Sequence, residues 1–269
     1  MNDKNIQILL TNDDSIHSPG LWAAAEALDT LGFVHVVAPL NQQTSTGRSM
    51  PIQSSGIIEA MILNVNGKEW PVFAVDGSPG QSVLHGVYDV IKGKPDLVVS
   101  GINYGENVGS GITISGTVGA ALEAASLGIP ALAMSMQTGS EHHFSLSQEV
   151  DFSAAAYFTQ LLATKMLAHH LPYDVDILKV DIPQDATRET PWVLTRQSRQ
   201  RYYTPRPAKR SLLSDRGPMG YDIKYRPEDL EEDSDLFALL VEKKVSVTPI
   251  SLDMTSRTDF PALRQLLSQ

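Results

Sequence analysis

The stretch from Ile6 to Pro39 limits the fold more than any other part of the chain. Residues 6–11 read IQILLT, a short apolar run of strand length. The polar loop NDDSIHS follows, and Ser18-Pro19 then opens a helix. Ser18 can cap it, and Pro19 suits a first turn where its missing amide costs nothing. Leu21, Ala24, Ala25 and Leu28 place one apolar stripe against a sheet, and Gly32 is the expected terminator. Phe33 to Ala38 supplies a second apolar strand. Strand, helix and strand in this order make a βαβ unit, whose natural product is a parallel sheet.

The following segments extend that pattern. Residues 57–63 and 70–75 predict a hairpin around Asn66-Gly67, a pair suited to positive φ. A helix is expected over 79–91, a buried strand over 96–101 (DLVVSG) and an alanine-rich helix from Gly116 to Leu127, stopped by Gly128. A strand over 131–135 and a helix over about 153–169 follow, the latter with Ala155, Phe158, Leu162 and Met166 on one side. ILKV at 177–180 returns to the sheet. Residues 1–185 thus read as an α/β core. Beyond them the texture changes. Arg196, Arg199, Arg201, Arg206, Lys209 and Arg210 crowd one segment without an acid. Glu228, Asp229, Glu231, Glu232, Asp233 and Asp235 crowd another without a base. Short strands are expected at 236–241 and 245–249. Residues 186–269 therefore predict an extended arm, whose basic and acidic halves can pair across subunits in a homo-oligomer.

A net charge of -10 argues against nonspecific binding to a nucleic-acid backbone, and no specific duplex binding is expected. The absence of cysteine excludes disulfides, thiolate metal sites and cysteine nucleophiles, and fits a cytoplasmic protein. The start of the chain has too short an apolar run for a secretory signal, and no stretch is long enough to span a membrane.

Open α/β sheets bind ligands beyond the carboxyl ends of their strands. Asp13 and Asp14 lie just past the first strand. The second strand delivers Thr44 and Ser45, and the strand at 96–101 delivers Asn103 and Asn107. Carboxylates, an amide and a hydroxyl suit a hard cation such as Mg²⁺ or Mn²⁺. Zinc is less natural: the seven histidines lack metalloprotease spacing, and His142-His143 and His169-His170 read as surface pairs. His17 is a candidate proton donor near the acids. The segment GENVGSGITISGTVG at 105–119 lacks the Lys-Ser/Thr pair of a Walker loop and the glycine spacing of a dinucleotide fingerprint. It reads as a flexible, amide-rich loop in which Ser115, Gly116 and Thr117, at a helix start, can cradle a phosphate.

The chain resembles the SurE family of stationary-phase survival proteins, which act as 5'/3'-nucleotidases. The likeness rests on LLTNDDSIHSPG at 9–20, VVAP at 36–39, FAVDGSPG at 73–80, PDLVVSGINYGENVG at 95–109, SGTVGAALEAASLGIPALAMS at 115–135 and VSVTP at 245–249. It implies a Rossmann-like three-layer parallel core with an extended C-terminal oligomerisation arm, assembled as a homodimer or homotetramer. It also implies hydrolysis of nucleoside monophosphates and other small phosphomonoesters, with one divalent cation, Mg²⁺ or Mn²⁺, per subunit. By position the metal ligands are Asp13, Asp14, Thr44 and Asn103, with Asp13, Asp14 and Asn103 as the catalytic set. Asn12, Ser115, Gly116 and Thr117 fall on substrate contacts. The family usually has serine where this chain has Thr44, and Ser45 is the alternative donor. LNQQ at 40–43 replaces an acid followed by basic residues, so substrate preference is expected to differ. The competing reading is a noncatalytic nucleotide-binding or regulatory protein of the same fold.

Overall fold

The structure, a computed structural model, describes residues 6–269. The opening βαβ unit forms as expected, with β1 (Gln7–Thr11), α1 (Pro19–Leu28) and β2 (Phe33–Pro39). Helix α1 ends at Leu28, before Gly32. A Cβ at residue 32 would lie 2.6 Å from the Ile6 carbonyl oxygen, so that glycine serves the close approach of chain entering β2. The hairpin follows as β3 (Ile58–Val65) and β4 (Lys68–Val75), with Asn66 and Gly67 both at positive φ. Helix α2 (Pro79–His85) passes into a wider π turn over Gly86–Ile91, covering the single helix expected there.

The remaining core elements are β5 (Leu97–Tyr104), α3 (Gly116–Ser126), β6 (Ala131–Met136), α4 (Ser153–Ala168) and β7 (Ile177–Ile182). The later chain supplies β8 (Trp192–Leu194), β9 (Tyr203–Arg206), β10 (Gly220–Ile223), α5 (Asp235–Leu240), β11 (Val245–Ile250) and α6 (Phe260–Leu267). Of residues 236–241, expected as a strand, 236–240 lie in α5 instead and Val241 follows its end. The Ser234 hydroxyl caps that helix by accepting from the Phe237 amide at 3.1 Å. A local cap overrides the strand propensity of the apolar run.

A nine-stranded sheet runs in the order β3-β4-β2-β1-β5-β6-β7-β11-β8. From β4 to β7 every neighbouring pair is parallel, whereas β3 and β11 pair antiparallel with β4 and β7. The core is therefore mixed and mostly parallel. Alternation along the strands sends Ile8, Leu10 and Val36 into one cluster with α1 and α4. Leu9, Val37 and Val98 join Val83 of α2 and the apolar side of α3 on the other face. The result is three layers. Beyond residue 185, β11 and β8 extend this sheet, while β9 and β10 form a separate two-stranded ribbon. The basic and acidic segments meet within the subunit: Arg196 pairs with Asp233 at 3.1 Å, and Ser198 Oγ donates to Glu231 at 2.6 Å.

Candidate active site

Strand order reverses at β1, with β2 and β4 on one side and β5, β6 and β7 on the other. Open α/β sheets place their ligands at such a reversal, here beyond the carboxyl ends of β1 and β5. The three expected loops converge there. The Ile16 amide donates to the Pro39 carbonyl at 2.9 Å, and the Gln43 amide to the Asp13 carbonyl at 2.7 Å. The Tyr104 amide donates to Asp14 Oδ2 at 3.0 Å, joining the end of β5 to the acid pair.

Asp13 and Asp14 are both buried. Asp13 Oδ1 accepts from the Thr117 hydroxyl at 2.6 Å, and the Gly116 and Thr117 amides at the start of α3 also favour its charged form. Burial outweighs these donors and lifts its pKa from 3.8 to about 6. Gly116 is required for this approach, because a Cβ there would sit 2.7 Å from Asp13 Cβ and 2.8 Å from Oδ2. Burial first, and the neighbouring Asp13 charge second, push Asp14 well above the carboxylate range. None of the ion pairs among the described residues offers either acid a cation.

The neutral donors are arranged in a related way. Thr44 Oγ1 is buried without a hydrogen-bond partner, whereas Ser45 is exposed at φ 64°. Asn103 Nδ2 donates to the carbonyls of Gly105 at 2.6 Å and Tyr104 at 3.3 Å, which leaves the amide oxygen over. Asn12 Nδ2 donates to the Ser15 carbonyl at 2.9 Å, and its Oδ1 is a second buried, unpartnered oxygen. Two unpaired acids beside leftover amide and hydroxyl oxygens match the chemistry of a hard divalent cation. Among the described residues no cluster of three or more His, Cys, Asp or Glu side chains is placed for a metal, so a cation here depends on neutral oxygens as well.

The residues expected to cradle a phosphate divide their tasks. Ser115 Oγ caps α3 by accepting from the Val118 amide at 3.1 Å, while Gly116 and Thr117 face Asp13. The loop before them is pinned, not free. The Gly105 amide goes to the Met136 carbonyl and that of Asn107 to Asp181. The Gly109 amide goes to Asp235, and that of Ser110 to the Gln200 carbonyl. Asn107 also spends its side-chain amide on Ser135 Oγ at 2.8 Å.

Two participants were not legible in sequence. Gln42 Nε2 donates both to Asp14 Oδ1 at 3.1 Å and to the His143 carbonyl at 2.9 Å. His143, expected on the surface, is buried, with Nδ1 2.7 Å from the Tyr221 hydroxyl and Nε2 unpartnered. Residues 78 positions apart carry that contact, so local pattern holds no signal for it. His17 is exposed, as are His169 and His170.

The profile of the family described as Survival protein SurE matches residues 8–204. The chain is 42% identical over 263 residues to the 5'-nucleotidase SurE of Thermococcus gammatolerans, covering 97% of this chain and 96% of that protein. It is 40% identical to the 5'-nucleotidase SurE of Thermococcus kodakarensis, covering 97% of this chain and 98% of that protein. The crystal structure of the SurE protein from Aquifex aeolicus superposes with a TM-score of 0.74 at 33% identity, covering 97% of this chain and 99% of that one. Family profile, full-length relatives and three-dimensional likeness agree: the chain belongs to the SurE family.

Proposed function

We propose that this protein is a divalent-metal-dependent phosphomonoesterase that converts nucleoside monophosphates to nucleosides and phosphate. The observation that carries the reading is the pair of adjacent buried acids, without a basic partner, beside the orphaned Thr44 hydroxyl at the switch point of the sheet. The relatives' name, 5'-nucleotidase, supports the substrate class. Asp13, Asp14, Thr44 and Asn103 would hold Mg²⁺ or Mn²⁺. When bound, such a cation supplies positive charge that offsets the phosphoryl group and acidifies a neighbouring water.

The rest of the chemistry belongs to side chains and amides. An Asp13 or Asp14 carboxylate oxygen takes the water's proton as the new P–O bond forms. The bond to the nucleoside oxygen breaks, and that oxygen leaves with the electron pair and takes up a proton from solvent. The Thr117 hydroxyl and the amides opening α3 orient phosphoryl oxygens. Those same donors hold Asp13 in the present arrangement, so the acid and the phosphoryl group compete for them. Asn12 braces the loop through Ser15. We extend the reading to a cytoplasmic homo-oligomer, supported by the exposed Phe260, Leu263, Leu266 and Leu267 on α6. Among the described residues no helix is long and apolar enough to cross a membrane.

The test is phosphate release from nucleoside 5'- and 3'-monophosphates with Mg²⁺, Mn²⁺, Co²⁺ or chelator. Turnover that requires a divalent cation is expected. Tight nucleotide binding without turnover under any metal would replace the enzyme by a noncatalytic binding protein.

A further inference from the structure

A second constellation lies beside the site and does no proposed chemistry. Lys179, Asp181 and Asp235 are fully buried. Lys179 Nζ donates to Asp181 Oδ2 and, at 3.1 Å, to Asp235 Oδ2. Each acid also holds the loop that follows Asn103: Asp181 accepts from the Asn107 amide at 2.7 Å through its other oxygen, Oδ1, and Asp235 accepts from the Gly109 amide at 3.0 Å through the same Oδ2 that Lys179 contacts. Asp235 Oδ1 also accepts from the Ser198 amide at 2.9 Å and the Leu236 amide at 2.8 Å. One ammonium group thus ties β7, α5, the segment after β8 and the loop after β5 to a single point.

Such a cluster is a poor way to gain stability, because desolvating three charges consumes much of their mutual attraction. What it supplies is position. The clamped loop starts at Gly105, whose carbonyl holds the Asn103 amide nitrogen at 2.6 Å, and Asn103 adjoins Tyr104, whose amide touches Asp14. A shift of the loop therefore moves Asn103 relative to the acids.

We propose that Lys179, Asp181 and Asp235 form a positioning clamp that sets the placement of Asn103 against Asp13 and Asp14. The clamp makes a segment distant in sequence a determinant of turnover. This inference rests on the phosphatase reading of the site for its kinetic part only, since the clamping of the loop is a property of the free protein.

The test compares Asp181→Ala, Asp181→Asn and Val180→Ala in the full chain. Val180 is a fully buried neighbour on the same strand, and its truncation controls for lost stability alone. Asp181→Ala removes the acceptor for the Asn107 amide. It is expected to speed hydrogen exchange in peptides covering 103–110. It should also weaken calorimetric Mn²⁺ affinity, and lower kcat at saturating Mn²⁺ and substrate, each by about tenfold or more. Asp181→Asn keeps an oxygen acceptor and should restore most of both values. Val180→Ala should lower Tm while leaving exchange in 103–110, Mn²⁺ affinity and kcat near those of the parent. Unchanged exchange over 103–110 in a folded Asp181→Ala protein would overturn the clamp. So would a Val180→Ala protein that loses Mn²⁺ affinity and kcat as Asp181→Ala does. Should the parent show no metal-dependent turnover, the phosphatase reading falls, and the exchange arm decides the clamp by itself.

Discussion

Glu106 offers the sharpest test of how the interior of this protein handles charge. Its side chain is buried behind the loop that follows β5, and neither carboxylate oxygen has a hydrogen-bond partner. The Tyr203 hydroxyl, 3.1 Å away, donates to the Glu106 backbone carbonyl and not to the acid. Burial lifts the carboxyl from 4.5 to about 7, assisted by the Asp181 charge and opposed by the nearby Tyr202 and Tyr203 hydroxyls. The folded state therefore holds this proton more tightly than the unfolded chain. Stability is present below pH 4.5 and is lost as pH rises toward 7, where the buried group must ionise. The gap between 4.5 and about 7, at about 1.4 kcal/mol per pH unit, amounts to roughly 3 kcal/mol at full ionisation. Glu106→Gln retains the neutral shape and removes the titration. Urea denaturation in chelator between pH 5 and 8 should show the variant gaining roughly 2–3 kcal/mol on the parent across that range. Taking the difference cancels groups that titrate in the window independently of Glu106, Asp13 among them. Stability curves that stay parallel from pH 5 to 8 would refute the reasoning.

Three further outcomes follow from the site. Gly116→Ala, although favourable to a helix, drives a methyl group into Asp13 and should cost about 1–3 kcal/mol of stability together with Mn²⁺ affinity, read by thermal melts and calorimetry. Thr44→Val removes an orphaned hydroxyl, so the metal-free protein should melt no lower than the parent while Mn²⁺ binds more weakly. Ser45→Ala, at an exposed position, should leave Mn²⁺ binding unchanged; the opposite pattern would make Ser45 the donor.

The sheet was legible because its signals are local. Apolar runs separated by polar turns predict β1, α1, β2, the hairpin and α3 close to where they lie, although Ser18 opens α1 without a side-chain capping bond and Gly32 does not end it. The position of Asp13 and Asp14 past β1, where the strand order reverses, is legible because a polar loop after the first strand of such a sheet has few other destinations. What escaped depends on distant partners. Leu236 to Leu240 is apolar throughout and by itself predicts a strand, whereas Ser234 makes it helix α5 by accepting from the Phe237 amide. His143 gave no cue, since Tyr221 and Gln42 reach it from far along the chain. The buried clamp did leave a trace. Lys179 and Asp181 sit two apart in a strand whose other residues are apolar, so they share one face and mark a buried charge pair. Asp235 completes that pair from a helix start that sequence alone did not reveal.

The central claim is that Asp13 and Asp14 are paired to hold a cation, and one paired measurement on Asp14→Asn tests it most directly. The substitution nearly preserves shape while deleting a charge that burial and Asp13 both disfavour. Calorimetry should show Mn²⁺ affinity falling, with turnover of a nucleoside monophosphate lost at matched metal, while urea denaturation of the metal-free protein at pH 8 shifts to higher midpoint. Turnover within a few-fold of the parent, alongside a metal-free protein that unfolds more easily, would mean that the acids serve only to brace the loop and that the cation site lies elsewhere.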